Sequence, residues 1–194
     1  MQLQKNASWH EARQGRLTAS NFAAAAGICP YKSRQKLWRE LNGLDEPFTG
    51  NAATDWGECH EKDAINEYEC VTGNIVLPVG FISHSSFGWL GCSPDGLVSI
   101  DGAVEAKCPM GERPNSEVPN HYQAQIQGQL ECTNRDWCDF VSWTEAETVI
   151  IRVKRDQAYF GWLLNLLQEF WFDYVLKDIP PPRLGRKPKY VPAK

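Results

Sequence analysis

Three short runs constrain this chain most: Ser93-Pro94-Asp95-Gly96, the dipeptide Asp101-Gly102, and Glu105-Ala106-Lys107. Asp-Gly between two runs of strand-forming residues signals a hairpin, because both residues tolerate the positive φ of tight turns. A hairpin there folds the Asp95 strand back against the Glu105 strand. Residues two apart on a strand share a face. Glu105 and Lys107 therefore point to one side and Ala106 to the other, and Asp95, Glu105 and Lys107 can converge. The apolar flanks Ala103, Val104, Ala106 and Cys108 mark a half-buried strand, where unpaired charge is costly.

Two carboxylates and a lysine gathered this way suit a hard divalent cation. Mg2+ takes oxygen ligands, usually one or two carboxylates completed by water and substrate phosphate. Asp95 and Glu105 supply carboxylates, and the main-chain carbonyl of Ala106 lies within reach. Such an ion makes a bound water a better nucleophile. Lys107 can orient that water, help deprotonate it, or neutralise developing charge. The plain alternative is an exposed hairpin with a surface ion pair, since Glu-x-Lys often occurs by chance.

The rest of the chain reads as helices, a cluster of strands, a helix, two strands and a helix. Residues 8–27 form a helical start, with Thr18 or Ser20 capping the alanine-rich run and Gly27 ending it. A second helix spans Gln35 to Leu41. A third spans Trp56 to Thr72, with Ala64, Ile65, Tyr68 and Val71 on one side. Strands follow at Ile75 to Ser83, Trp89 to Cys92, Leu97 to Ile100 and Ala103 to Lys107. After a polar loop from Pro109 to Pro119 come a helix (His121 to Glu131), strands at Asp139 to Trp143 and Thr148 to Val153, and an amphipathic helix (Gln157 to Leu176). This order predicts an α/β (α+β) domain with a mixed central β-sheet and helices on its faces. Residues 1–179 form that domain, and 180–194 form a basic, proline-rich tail read as extended or mobile.

With 194 residues, 42% of them hydrophobic, the chain can bury one core. The apolar stretch Phe160 to Leu176 is interrupted by polar residues and spans no bilayer; a cytoplasmic protein is expected. Its seven cysteines include no C-x-x-C pair. They read as reduced residues rather than a disulfide framework or metal cluster. The net charge of −4 argues against wholesale nucleic-acid binding. Its distribution does not, because Arg183, Arg186, Lys187, Lys189 and Lys194 sit in one acid-free stretch suited to phosphate contacts. The eight tryptophans serve mainly a core, and Trp162 and Trp171 on the last helix suggest a subunit interface.

The P-D-(x)n-E-x-K pattern resembles the PD-(D/E)XK nuclease superfamily. Four blocks in order resemble the phage λ-exonuclease and YqaJ-like viral recombinase family. The first is Trp9-His10 with Arg13, Gly15 and Thr18-Ala19-Ser20. The second is Trp56-Gly57 with Glu61 and Ala64. The third comprises Ser93-Pro94-Asp95-Gly96 and Glu105-Ala106-Lys107-Cys108-Pro109, and the fourth is Tyr122-x-Ala124-Gln125-Ile126-Gln127. The resemblance covers most of residues 9 to 130 and implies a restriction-endonuclease-like core.

By this resemblance the activity is a 5′-to-3′ double-strand DNA exonuclease that leaves a 3′ single-stranded overhang for recombination. Asp95, Glu105 and the Ala106 carbonyl would hold Mg2+, two ions per site, with Mn2+ able to substitute. Lys107 would act on the attacking water. Glu61 would lie in the outer metal shell, and Gln125 would reach in from its helix, with Gln129 the next candidate on the same face. Arg13, Ser20 and Ser93 would hold a terminal 5′ phosphate, for which a planar guanidinium and hydroxyl donors are suited.

The resemblance also implies a ring-shaped homotrimer around DNA, a single-strand annealing partner, and a bacterial host cell carrying a phage or prophage. One departure stands out: where the λ member has an apolar strand-separating wedge, this chain has Thr54. The competing readings are a DNA endonuclease or resolvase of the same superfamily, an iron–sulfur nuclease, and a DNA-binding module with a decayed site. For Arg13, the plain alternative is a surface pair with Glu11 or Asp55.

Overall fold

A computed structural model describes residues 4, 6–46, 49–184 and 188–190. Arg186, Lys187 and Lys194 of the basic tail lie outside the described residues. The elements run α1 (Ala7–Arg13), β1 (Leu17–Thr18), α2 (Ala19–Ala25), α3 (Arg34–Leu41), α4 (Ala52–Thr72), β2 (Val76–Leu77), β3 (Ile82–Ser83) and β4 (Leu90–Cys92). They continue with β5 (Gly96–Val98), β6 (Gly102–Lys107), α5 (Asn120–Thr133), β7 (Trp137–Trp143), β8 (Thr148–Lys154) and α6 (Gln157–Gln168). A π-helical stretch, Glu169–Val175, extends α6.

The main sheet has five strands in the order β2-β5-β6-β7-β8. Only β6 and β7 are parallel, so the sheet is mixed. A second sheet of order β1-β4-β3 packs with α2, α3 and α6 around Phe22, Leu37, Leu90, Leu163 and Phe170. Alternation along β6 divides the main core. Val104, Ala106 and Cys108 face α4 through Ala64 and Tyr68. Ala103, one register over, joins Ile126 and Leu130 of α5. The sheet thus lies between α4 and α5, and the α5 face receives Glu105. Gly128 lets α5 come close to α2, because a Cβ there would fall 2.4 Å from the Phe22 ring.

Several boundaries differ from expectation, each for a local reason. The start divides into α1 and α2 because Gly15 turns the chain at φ 66° and inserts β1 beside β4. Thr18 sits at the α2 N-cap position without a side-chain cap bond. The Ile75–Ser83 run splits between the two sheets. Val71 is 62% exposed and leaves the buried side of α4. The β5–β6 hairpin forms, but Ser99 carries its positive φ, 53°. Gly102 is already in the strand, opposite Val98, where a Cβ would strike the Trp137 ring.

The described part of the tail lacks regular structure, as expected, but it is docked. Pro181 is buried, and its carbonyl accepts from Gln35 Nε2 at 3.0 Å. Tyr190 meets Tyr159 and Trp162 at ring-centroid distances of 5.0 and 5.7 Å. On the expected α6 interface, Trp171 is buried and stacks on Trp89. Much of the apolar surface assigned to a partner subunit is therefore covered by this chain. Among the described residues, no helix is long and apolar enough to cross a membrane.

Candidate active site

The site forms where two paired strands end out of step. β5 begins at Gly96, opposite Val104, whereas β6 continues through Glu105, Ala106 and Lys107. The β6 backbone beyond Val104 therefore has no strand partner on that edge. Asp95, just before β5, fills the gap: Ala106 N–H donates to its Oδ2 at 2.7 Å. A strand residue presents its N–H and C=O to the same edge, so the Ala106 carbonyl also leaves toward Asp95.

Glu105 is 1% exposed and heavily bonded. Lys107 Nζ and Gln125 Nε2 each donate to Oε1 at 2.5 Å. Gln129 Nε2 donates to Oε2 at 2.5 Å. Gln125 and Gln129 lie four residues apart on α5, about one helical turn, so both reach the same carboxylate. Of the four alternating glutamines, Gln127 turns away to the Lys154 carbonyl and Asp156 N–H. Tyr122, which motif reasoning left without a role, places its ring 5.1 Å from Lys107 Nζ.

Negative charge outweighs positive here. Burial pushes the Asp95 carboxyl well above the usual carboxylate range, and the charge of Glu105 adds to this; Lys107 and the Ala106 N–H act in the opposite sense. Glu61 on α4 also raises Asp95 and the Cys108 thiol, placing it within electrostatic reach. Burial alone would lower Lys107, but Glu105 and Asp95 overcome it and hold the ammonium above its ordinary value. Lys107 is thus a donor and a cation in this arrangement.

The donor set fits a hard divalent ion. No hydrogen bond among the described residues reaches Asp95 Oδ1. Glu105 uses three of a carboxylate's roughly four acceptor sites. With the Ala106 carbonyl, these are oxygen ligands of the kind Mg2+ requires. Among the described residues, no group of three or more His, Cys, Asp or Glu could hold a metal ion. Among the described residues, none of the seven cysteines is in a disulfide.

A second line of residues joins this site to α1. Trp9 Nε1 donates to Ser93 Oγ at 2.9 Å. The Arg13 guanidinium lies 4.1 Å from the Trp9 ring centroid, with Nη2 3.5 Å from Thr18 Oγ1. Thr18 Oγ1 in turn lies 3.2 Å from the exposed Ser20 Oγ. Arg13 is half-buried, and burial lowers its pKa. Among the described residues it forms no carboxylate pair, so the alternative with Glu11 or Asp55 is not realised. Trp9 and Thr18 were legible as motif residues, but their linking role appears only in three dimensions. Thr54 is committed to a capping box: its Oγ1 accepts from Asn51 N–H at 2.6 Å, and its N–H donates to Asn51 Oδ1 at 3.1 Å.

A mixed sheet with helices on both faces, and an aspartate, glutamate and lysine meeting at a strand end, define a restriction-endonuclease-like fold of the PD-(D/E)XK superfamily. Residues 8–136 match the YqaJ-like viral recombinase domain, and the chain belongs to that family. Among solved structures it is similar to the alkaline exonuclease LHK-Exo from Laribacter hongkongensis, with 32% identity and a TM-score of 0.76 over 89% of this chain and 94% of that one. A phage-related exonuclease from Haemophilus somnus 129PT shares the fold at 15% identity and a TM-score of 0.59, over 84% of this chain and 96% of that one.

Curated relatives include uncharacterized protein R354 of Acanthamoeba polyphaga mimivirus, 26% identical over 71% of this chain and 28% of its own length. Protein D345L of African swine fever virus (strain Badajoz 1971 Vero-adapted) is 27% identical over 66% of this chain and 45% of its length. The chain thus spans less than half the length of either viral relative.

Proposed function

We propose that this chain is a divalent-metal-dependent DNA exonuclease that degrades one strand of a duplex 5′ to 3′ from a phosphorylated end, leaving a 3′ single-stranded overhang for recombination. The observation that carries the reading is the line from Arg13 through Trp9 to Ser93, two residues before Asp95. A half-buried arginine without a carboxylate partner among the described residues, flanked by hydroxyls, suits a terminal phosphate. The same line ends beside the cutting machinery.

Asp95, Glu105 and the Ala106 carbonyl would hold Mg2+, with two ions expected and Mn2+ a substitute. When bound, the metal supplies an activated water and shields charge on the reacting phosphate. Lys107 donates from Nζ to the attacking water or to the phosphate oxygen gaining charge. Gln125 and Gln129 fix Glu105 in one orientation, and Gln125, half-exposed, also faces the DNA. Glu61 deepens the negative field from α4. On the family's pattern, residues 1–179 act as the nuclease domain, 180–194 as a basic tail, and three copies ring the DNA. A single-strand annealing protein would receive the overhang, in the cytoplasm of a bacterial host of a phage or prophage.

The test is a time course on linear duplexes with and without a 5′ phosphate, in Mg2+ and in chelator. Phosphorylated ends should be degraded faster, and chelator should stop the reaction. Degradation of covalently closed circles at a comparable rate would overturn the exonuclease reading in favour of an endonuclease or resolvase.

A further inference from the structure

Away from the carboxylates, a cavity of about 420 Å³ lies between the start of α3, the Gly27–Cys29 turn and the docked tail. Its lining includes Lys32, Ser33, Arg34 and Gln35 from the α3 side, with Arg183 and Leu184 from the tail. Arg34 is only 5% exposed, yet its Nε and Nη2 have no hydrogen-bond partner. Its Nη1 reaches Glu169 Oε1 at 3.5 Å, a long contact. The rings of Phe170 and Tyr174, 5.5 and 5.3 Å from the guanidinium, hold it in place. Buried donors left unmet are costly, and an anionic oxygen is their strongest acceptor.

The surroundings favour an anion. Lys32 pairs with Glu40 at 2.6 Å and retains further N–H donors. Ser33 caps α3 by accepting from Lys36 N–H, and the helix's positive end faces this region. The tail closes one wall. Gly27, at φ 76°, lies so near Leu184 that a Cβ there would fall 2.3 Å from Leu184 Cδ1. From Tyr31, the residue before Lys32, a line of rings leads to the proposed cutting site. Tyr31 meets His121 at 5.3 Å, His121 meets Tyr122 at 4.1 Å, and Tyr122 lies 5.1 Å from Lys107 Nζ.

We propose that this cavity grips a backbone phosphate of duplex DNA a few nucleotides from the cut, with Lys32, Arg34 and Arg183 as its cations. The inference rests on DNA being the substrate. A polymer fits better than a free ion because Arg183 opens a stretch of sequence with five basic residues and no acid. The site is separate from the Arg13 pocket: it reads the strand's backbone rather than its end.

The test uses the full chain carrying Lys107→Ala, so that DNA is bound and not cut. Affinity for a linear duplex is measured against salt, with a 5′ phosphate and with a 5′ hydroxyl. Adding Lys32→Ala and Arg183→Ala should weaken both duplexes equally, about tenfold, and reduce the salt slope by about one. Arg13→Ala should instead weaken only the phosphorylated duplex. Arg34→Gln should act like the double substitution if its melting shows a folded chain; if it does not, the double variant at half-buried Lys32 and exposed Arg183, itself checked by melting, keeps the test valid.

An unchanged slope in the double variant overturns the inference while leaving the exonuclease reading intact. If the Lys107→Ala parent binds no duplex, the substrate reading itself fails and the inference falls with it. If dAMP or inorganic phosphate stabilises the parent and not the double variant, while the duplex slope is unchanged, the cavity serves a free phosphate and the backbone assignment is wrong.

Discussion

Two buried carboxylates sit on neighbouring strands of one sheet, and their company differs. Asp139 on β7 is 2% exposed and fully provided for. Arg152 donates to both its oxygens at 2.8 and 2.9 Å, and Tyr68 OH donates at 2.7 Å. Arg152 also stacks 3.6 Å from the Trp137 ring centroid. One cation meets one anion, and the charge of Asp139 pushes the Tyr68 phenol above its ordinary range in addition to the larger effect of burial. Around Glu105, by contrast, the one cation Lys107 faces Glu105 and Asp95, and Glu61 adds to the negative field at Asp95. A balanced carboxylate is a fastener. A cluster with more anions than cations is held together by the fold, and a further cation would relieve it.

The strongest way to break this comparison is to remove the cation from each region. Lys107→Met should cut DNA at least about a hundredfold more slowly, as expected when a positioned donor is lost from the reacting centre. It should still bind duplex. Arg152→Met should leave cutting within about twofold, because its partner Asp139 lies outside the proposed metal site, and should instead lower the midpoint of urea unfolding. Nuclease rates and unfolding curves on both variants decide the matter. Equal loss of cutting would show that the two carboxylates are not different in kind.

A smaller effect sharpens the other half. Asp139→Asn keeps the shape but removes the charge-assisted bonds, and should cost about 2 kcal/mol. That corresponds to a drop of roughly 5 °C in melting temperature for a chain of this size. Arg152 is half-exposed and can return to water, which limits the loss. A melting temperature unchanged by Asp139→Asn would mean that the network contributes nothing to stability.

The hairpin of the candidate site was legible because period-2 alternation assigns Glu105 and Lys107 to one face without reference to the rest of the fold. The hairpin turn was found for the wrong reason. The Asp-Gly signal marked the place, yet Ser99 makes the positive-φ turn and Gly102 is required by the Trp137 ring. The glutamines show where pattern runs out. Their alternation is not helical, so the sequence could favour Gln125 and rank Gln129 next, but only the placement of α5 shows both on Glu105. The tail was read from composition alone. Pro181, Leu184 and Tyr190 dock through shape, which composition does not encode. Arg13 fell between these cases: its motif was visible, whereas the absence of a carboxylate partner among the described residues was a fact of packing.

The smallest expected effect separates the two regions by pH. The Asp95 carboxyl is raised in the folded chain by burial first and by Glu105 second, above an unfolded value near 3.9. A group raised on folding contributes stability that is fully present below its unfolded value and is lost as pH rises through its folded value. In chelator, Asp95 therefore withdraws stability as pH rises above about 4. Lys107 is also raised, but its contribution is fully present below about 10 and stays flat over the same range. With Mg2+ held as proposed, that loss is cancelled, because the deprotonated carboxylate gains a ligand that the unfolded chain does not hold. The gap in melting temperature between Mg2+ and chelator should widen by a few degrees from about pH 5 to about pH 8. Asp95→Asn should abolish the widening and Asp139→Asn should retain it. A gap that widens equally in both variants would place the metal-linked proton elsewhere and remove the distinction between the fastener and the cluster.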